Sequence, residues 1–166
     1  EQTVDEGQSV TVKANAFTAP TGYSFKEWNT NAKGSGTKYT VGQSVTMTED
    51  ITLYAVWQAN TYTVTLNAGE GTGGTASVQA TFDAAMPNIS IPSRNGYTFK
   101  CYFSEANGAG TQYYDANGSS TNSWVTPSDA TLYAAWEEQS GETPMTTGDL
   151  HFWFFYAPDA ETNHVE

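Results

Sequence analysis

Short runs of alternating apolar and polar residues cover most of the first 138 residues, and turns rich in glycine and asparagine separate them. The clearest run is residues 62–66, Tyr-Thr-Val-Thr-Leu, in which large apolar side chains alternate with threonine. Alternation with a period of two predicts β-strands that bury one face. Because helical periodicity is almost absent, the pattern predicts a β-rich fold of the α+β class with little helix.

The chain repeats itself in ordered landmarks. The phrase Gly-Tyr-Ser-Phe-Lys-Glu-Trp at residues 22–28 returns as Gly-Tyr-Thr-Phe-Lys-Cys-Tyr at 96–102, an offset of 74. The closing strand Thr-Leu-Tyr-Ala-Val-Trp at 52–57 returns as Thr-Leu-Tyr-Ala-Ala-Trp at 131–136, an offset of 79. A Gly-x-Gly-Thr turn lies between these landmarks in both copies. Three landmarks in the same order indicate an internal repeat.

The repeat predicts two tandem modules, at residues 1–58 and 61–138, followed by a linker and aromatic tail at 139–166. The connection between the modules, residues 58–60, is short, so we expect them to be closely coupled. The first copy has no counterpart of the strand at 62–66, because too few residues precede its first landmark. Either the sequence begins after that strand, or another segment supplies it.

Aromatic residues of the landmarks are the expected cores of the two modules. Tyr23 and Phe25 share one strand face, whereas Trp28 breaks that period. A β-bulge or a strand end is therefore expected near Glu27. The expected core residues are Tyr23, Phe25, Trp28, Leu53, Tyr54 and Trp57 in the first copy, and Tyr97, Phe99, Tyr102, Leu132, Tyr133 and Trp136 in the second.

The chain is strongly acidic: its 166 residues include 18 acidic and only 6 basic side chains, for a net charge of −12. Such a surface repels nucleic acid phosphates and anionic membranes, so neither is an expected partner. The longest apolar run, residues 152–157, is too short for membrane insertion as a span. The sequence does not begin with Met and has no signal segment, so we expect it to be a piece of a longer protein.

No residue pattern points to catalysis, a cofactor or a bound metal. The glycine-rich residues 69–74 lack the Lys-Ser/Thr that closes a phosphate loop, so a hairpin turn is favoured. Asp115 begins a fragment similar to a calcium loop, but the later bidentate glutamate is missing and a turn is favoured. His151 and His164 fit no zinc spacing. The single cysteine, Cys101, cannot form an intrachain disulfide and is expected to be buried and structural.

Four aromatic residues outside the landmark strands are candidates for stacking on a sugar: Tyr39, Tyr113, Tyr114 and Trp124. They lie in predicted loops, where exposed rings could bind carbohydrate. The alternative, which the sequence favours, is that they pack locally within the longer second copy. A binding module should expose Tyr113, Tyr114 and Trp124 together, whereas a spacer should have no such patch.

The tail does not match the repeat. From Leu150 to Tyr156 it reads as a strand that is apolar on both faces, which requires burial on both sides. This segment could open a further domain. It could also add as a strand to a sheet edge of a repeat, or fill the gap in the first copy. A disordered end and a sortase-type anchor near Pro144 are the remaining alternatives.

The strand at 62–66, the phrase at 96–102 and the closing strand at 131–136 together resemble the Listeria–Bacteroides repeat, also called the internalin B-repeat family. The similarity covers most of residues 1–138. One departure is Tyr102, which stands where the family usually has Trp. The resemblance implies small β-grasp-like modules in tandem on an extracellular, cell-surface or secreted bacterial protein, with no enzymatic activity.

The function that this resemblance implies is a non-catalytic spacer, or an adhesion and interaction module whose partner is a protein or glycan at a cell surface. The alternative is an accessory carbohydrate- or protein-binding module attached to a catalytic domain beyond the tail. An enzyme would need a polar cleft with a nucleophile and a base, and the sequence offers no such pattern.

Overall fold

The computed structural model describes residues 3–139, which form β-strands, turns and one short 3-10 helix. The strands of the first repeat are β1 (Ser9–Thr11), β2 (Tyr23–Asn29), β3 (Lys38–Tyr39), β4 (Ser44–Thr46) and β5 (Tyr54–Ala59). The elements of the second repeat are β6 (Thr61–Asn67), β7 (Ser77–Thr81), β8 (Tyr97–Phe103), the 3-10 helix (Ala106–Gly108), β9 (Gln112–Tyr114) and β10 (Ala130–Glu138). The prediction of a β-rich fold with little helix is confirmed.

The second repeat forms one five-stranded sheet in the order β7-β6-β10-β8-β9. Its central pair, β6 and β10, is parallel, and the other neighbours are antiparallel. In the parallel register Val64 lies opposite Ala130, and Leu66 lies opposite Leu132. This pairing buries Val64, Leu66 and Leu132 in one core with Tyr102 and other aromatic residues.

The first repeat is split into two smaller sheets. One has the order β3-β2-β5, and the other pairs β1 with β4. By the repeat offsets, β2, β3 and β5 correspond to β8, β9 and β10. Among residues 3–139, no strand pairs with the outer edge of β5, which is the edge that β6 occupies on β10. The expected gap in the first copy is therefore present in the part of the chain that the structure describes.

The β-bulge predicted near Glu27 is present, and the second repeat has a bulge at the equivalent place. The register of β2 against β5 shifts between Phe25 and Glu27, and that of β8 against β10 shifts between Ala135 and Trp136. Because the extra residue re-aims the side chains that follow it, residues three apart reach the same face. The rings of Phe25 and Trp28 accordingly meet with centroids 5.3 Å apart.

Three expected core residues lie outside the core: Tyr54 in the first repeat, and Tyr97 and Tyr133, which do not pack in the core cluster of the second repeat. Tyr54 is 45% exposed, because side chains alternate along β5 and it points away from the face that holds Leu53 and Trp57. In the second repeat the equivalent Tyr133 is half-buried. The prediction that Tyr54, Tyr97 and Tyr133 belong to the two cores is therefore wrong.

A single residue, Asn60, joins β5 to β6. Its N–H donates to the carbonyl of Gly22, and its carbonyl accepts from the N–H of Phe82, both at 2.9 Å. The Tyr23 hydroxyl donates to the Asp83 carboxylate at 3.0 Å. The rings of Tyr23 and Phe82 meet edge to face, with centroids 5.7 Å apart. The two repeats are therefore in direct contact at this junction.

We expect Leu132→Ala to destabilise the protein more than Leu53→Ala, although the two leucines hold equivalent positions. Leu132 is fully buried, whereas Leu53 is half-buried beside an open groove. Truncating a buried leucine costs about 2–5 kcal/mol, and a site that solvent already reaches should lose less. Urea unfolding of each variant measures the two losses, and an equal or larger loss for Leu53→Ala would contradict this expectation.

Gly22 and Gly96 offer a matched test of the junction. Both have positive φ, of 80° and 76°, so an Ala variant at either position shares the same backbone strain. A Cβ at Gly22 would overlap the Phe82 ring, whereas one at Gly96 would meet no atom of residues 3–139 within 4 Å. We expect Gly22→Ala to lower the unfolding free energy by about 1–3 kcal/mol more than Gly96→Ala. Equal losses in urea unfolding would mean that the Phe82 contact contributes nothing.

Candidate functional site

An apolar groove opens into the first repeat, with a volume of about 330 Å3. Its lining includes Val12, Trp28, Val45, Met47 and Leu53. Trp28 is held in place because its indole N–H donates to the carbonyl of Lys13 at 2.9 Å. The groove is thus a concave surface with mostly apolar walls, which is the kind of site that binds apolar side chains.

The equivalent positions of the second repeat are filled. The repeat offsets align Val12, Trp28, Val45 and Leu53 with a buried set of side chains in the second repeat. That set is Met86, Tyr102, Trp124 and Leu132, each at most 4% exposed. All four pack in one cluster with Val64 and Leu66 of β6. The groove is therefore the core of the first repeat, open where β6 would contribute its side chains.

The closing strand is also shorter beside the groove. β5 has six residues, whereas β10 has nine. The three additional residues at the start of β10 are Ala130, Thr131 and Leu132, and they pair with β6. Their equivalents in the first repeat, residues 51–53, belong to no strand. Strand structure is thus absent at residues 51–53, where the described part of the chain offers no parallel partner.

The predicted sugar-stacking residues fall into two groups. Tyr113, Tyr114 and Trp124 are buried, with 3%, 0% and 1% exposure. Tyr39 is half-buried and lines the groove. The rings of Tyr113 and Trp124 pack together with centroids 5.0 Å apart. In this arrangement the three buried rings face protein, so they do not form the exposed patch that a sugar would stack on.

Residues 120–124 explain this burial, because they fold back onto the chain that follows β7. Trp124 exchanges backbone hydrogen bonds with Asp83 and Ala84, at 2.8 and 3.0 Å. The Tyr114 hydroxyl donates to the carbonyl of Pro87 at 2.9 Å, and burial raises the pKa of Tyr114 to about 12. The Trp124 indole N–H has no hydrogen-bond partner among the described residues.

The remaining candidate chemistry in the described range is structural. Cys101 is buried, and burial raises the pKa of its thiol, which disfavours the reactive thiolate. The Asp115 carboxylate accepts hydrogen bonds from the backbone N–H groups of Asn117 and Ser119 at 2.9 and 2.8 Å. These bonds lower the pKa of Asp115 and close a turn. Within residues 3–139, no group of three His, Cys, Asp or Glu side chains could hold a metal ion.

The glycine-rich residues 69–74 form a turn beside β10. The ring of Trp136 lies against Gly71, with no room for a side chain there, and the indole N–H of Trp136 donates to the carbonyl of Ala68 at 3.1 Å. Glu70 pairs with Arg94, whose guanidinium lies over the ring of Tyr97. The turn is therefore occupied by contacts within the repeat.

Sequence reasoning did not identify the groove. Two features of the sequence indicated the groove. The first copy has no counterpart of the strand at 62–66, and it contains apolar residues that would pack against such a strand: Val10, Val12, Val45 and Met47. Aligning these residues with the second copy would have shown that they lose the same partner strand. His151, His164 and the segment from Leu150 to Tyr156 lie outside the described residues.

Comparison with known proteins gives two kinds of match. The family model of the Listeria-Bacteroides repeat domain matches residues 1–56 and 62–135. Internalin H of Listeria monocytogenes is 33% identical over 142 residues, which cover 82% of this chain and 24% of that protein. A protein of Evansella cellulosilytica that is named a Gly-rich membrane protein is 32% identical over 117 residues, covering 70% of this chain and 13% of the relative.

This chain therefore spans about a quarter of the length of Internalin H, and less of the Evansella protein. No solved structure matches. Among residues 3–139, no helix is long and apolar enough to cross a membrane. The two matched segments coincide with the two copies of the repeat, and the chain belongs to the Listeria-Bacteroides repeat family.

Proposed function

We propose that the two repeats form a non-catalytic spacer and adhesion or interaction module of a bacterial protein that is displayed on the cell surface or secreted. Two features support this proposal: membership of the repeat family and the 33% identity to Internalin H over 82% of the chain. The net charge of −12 argues against nucleic acid as the partner. A protein or a glycan at a cell surface is the partner class we favour.

The observation that most directly favours a spacer is the junction at Asn60. One residue separates the two repeats, and its N–H and carbonyl hydrogen-bond to opposite sides of the junction. A linker this short, with packed rings beside it, resists bending in a way that a flexible linker does not. Gln139 is equivalent to Asn60, and its N–H donates to the carbonyl of Gly96 at 2.8 Å. The hydrogen bond by which Asn60 contacts its own repeat thus recurs at the end of the second repeat.

We propose that the repeats are separate folding units at residues 1–58 and 61–138, and that each has a β-grasp-like fold. The strand order of the second repeat, with a parallel pair inside an otherwise antiparallel sheet, supports this fold. An extended segment across residues 86–92 takes the place of a crossover helix. Residues 140–166 lie outside the described range, and strand addition by Leu150 to Tyr156 stays a prediction.

The second candidate is an accessory binding module beside a catalytic domain. The groove favours this function, because it offers apolar surface and the ring of Tyr39. Of the four candidate rings for sugar stacking, Tyr39 is the one at an open surface. A protein segment fits an apolar groove better than a carbohydrate does, because sugars need polar groups placed beside the stacking ring.

The spacer proposal predicts a single narrow distance between spin labels placed on the two repeats. Exposed positions for labelling are Thr30 and Ser128, each changed to Cys in a chain with Cys101→Ala. Pulsed dipolar spectroscopy reads the distribution of distances between them. In a control chain, Gly-Ser-Gly-Ser inserted after Asn60 should broaden that distribution. A distribution as broad without the insertion would contradict the spacer proposal.

We expect no carbohydrate to bind through the three buried rings of the second repeat. A glycan array probed with the wild-type chain and with Tyr39→Ala separates the two candidate functions. No signal, or a signal that Tyr39→Ala leaves unchanged, agrees with the spacer. A glycan signal that Tyr39→Ala removes would favour the accessory binding module.

A further inference from the structure

We propose that the groove of the first repeat is a strand-acceptor site. Its occupant is an extended peptide segment contributed from outside this chain. It adds in parallel to the edge of β5 that has no partner among residues 3–139, as β6 adds to β10. The segment has the pattern of β6, with large apolar residues at alternate positions and threonine between them. This inference does not depend on the spacer proposal.

The open core of the first repeat has the shape and chemistry to accept such a strand. In the second repeat, Val64 and Leu66 project from β6 into a core whose other members include Met86, Trp124 and Leu132. The groove is lined by residues equivalent to those three, Val12, Val45 and Leu53. An incoming strand in the β6 register would place its two apolar side chains beside Ile51 and Leu53, over this lining. Burying them removes apolar surface from water on both partners.

The chain just before β5 carries backbone groups that have no backbone partner in the described range. Residues 51–53 form no backbone–backbone hydrogen bond within residues 3–139. Their equivalents, Ala130 to Leu132, pair with β6. Because an unpaired strand edge is a template for another strand, these residues can accept a partner through main-chain hydrogen bonds. The apolar groove beside this edge then favours a partner that carries large apolar residues at alternate positions.

A carboxylate, that of Asp50, directly precedes residues 51–53. In the second repeat, the Asp129 side chain accepts a hydrogen bond from the backbone N–H of Thr63, on the incoming strand, at 2.8 Å. Asp50 occupies the position equivalent to Asp129 in the first repeat. Asp50 is exposed, and no hydrogen bond or ion pair involves its side chain within the described range. The Asp50 carboxylate is thus available to accept a hydrogen bond from a backbone N–H of the incoming strand.

The test uses the 166-residue chain and a synthetic peptide with the sequence of residues 60–68, Asn-Thr-Tyr-Thr-Val-Thr-Leu-Asn-Ala. We expect saturable binding in fluorescence anisotropy, and slower amide hydrogen exchange at residues 51–53 when the peptide is bound. A matched peptide in which Asp replaces the Val and the Leu should not bind, since a carboxylate cannot enter an apolar groove without a partner.

Three chain variants locate the site. Leu53→Asp should abolish peptide binding. Asp50→Asn should weaken binding about tenfold, because a hydrogen bond to a charged acceptor becomes one to a neutral acceptor. The control is the adjacent Glu49→Gln, which should leave peptide binding unchanged. Asp50→Asn keeps the test valid if Leu53→Asp fails to fold, since Asp50 is exposed and its side chain makes no hydrogen bond in the described range.

Four results would overturn the proposal. The first is no saturable binding by a folded chain. The second is binding that neither Leu53→Asp nor Asp50→Asn weakens, which places the peptide elsewhere. The third is protection of residues 51–53 without peptide in a chain that dimerises in analytical ultracentrifugation, which makes a second copy the occupant. The fourth is such protection in a monomer that disappears when the chain ends at Gln139, which makes the tail the occupant.

Discussion

The parallel pairing of β6 with β10 is the interaction on which the second repeat depends. It places Leu66 opposite Leu132 and closes one core beneath the central strands of the sheet. Full burial of an aliphatic side chain contributes about 1.5–3 kcal/mol, and β6 delivers two such side chains. In the first repeat the equivalent edge has no partner within residues 3–139, the closing strand is three residues shorter, and the core is a groove.

A second constraint acts in both repeats. The β-bulge brings residues three apart to the same face, so Phe25 meets Trp28 at 5.3 Å and Phe99 meets Tyr102 at 5.2 Å. The two closing tryptophans then pack on the two phenylalanines at 6.0 and 5.6 Å. This aromatic cluster does not require the opening strand, because all of its members lie on the two strands that form the bulge. The first repeat therefore keeps its bulged strand pair beside an open core.

The contact between neighbouring repeats depends on a hydrogen bond and on ring packing at the end of each repeat. The residue after each closing strand, Asn60 or Gln139, donates its N–H to the glycine that opens the first landmark of the same repeat. At Gly22 the ring of Phe82 from the next repeat completes the contact, whereas no side chain of the described residues covers the equivalent position at Gly96. Membership of the Listeria-Bacteroides repeat family accounts for the two copies. The short connection and the packed rings explain why neighbouring copies contact each other directly.

The sequence by itself determined the features that depend on local alternation. Residues 62–66 were recognisable as a strand, and β6 extends one residue further at each end, because a period of two is a property of the strand itself. The bulge near Glu27 was visible for the same reason. Only the tertiary structure decided which of these surfaces are covered. Tyr113, Tyr114 and Trp124 lie in segments without a clear period, and their burial depends on residues 120–124 folding against the chain after β7, some 40 residues away in sequence. The groove likewise exists because, within the described part of the chain, no distant segment pairs with the edge of β5. Burial of that kind depends on two segments together, so neither segment encodes it alone.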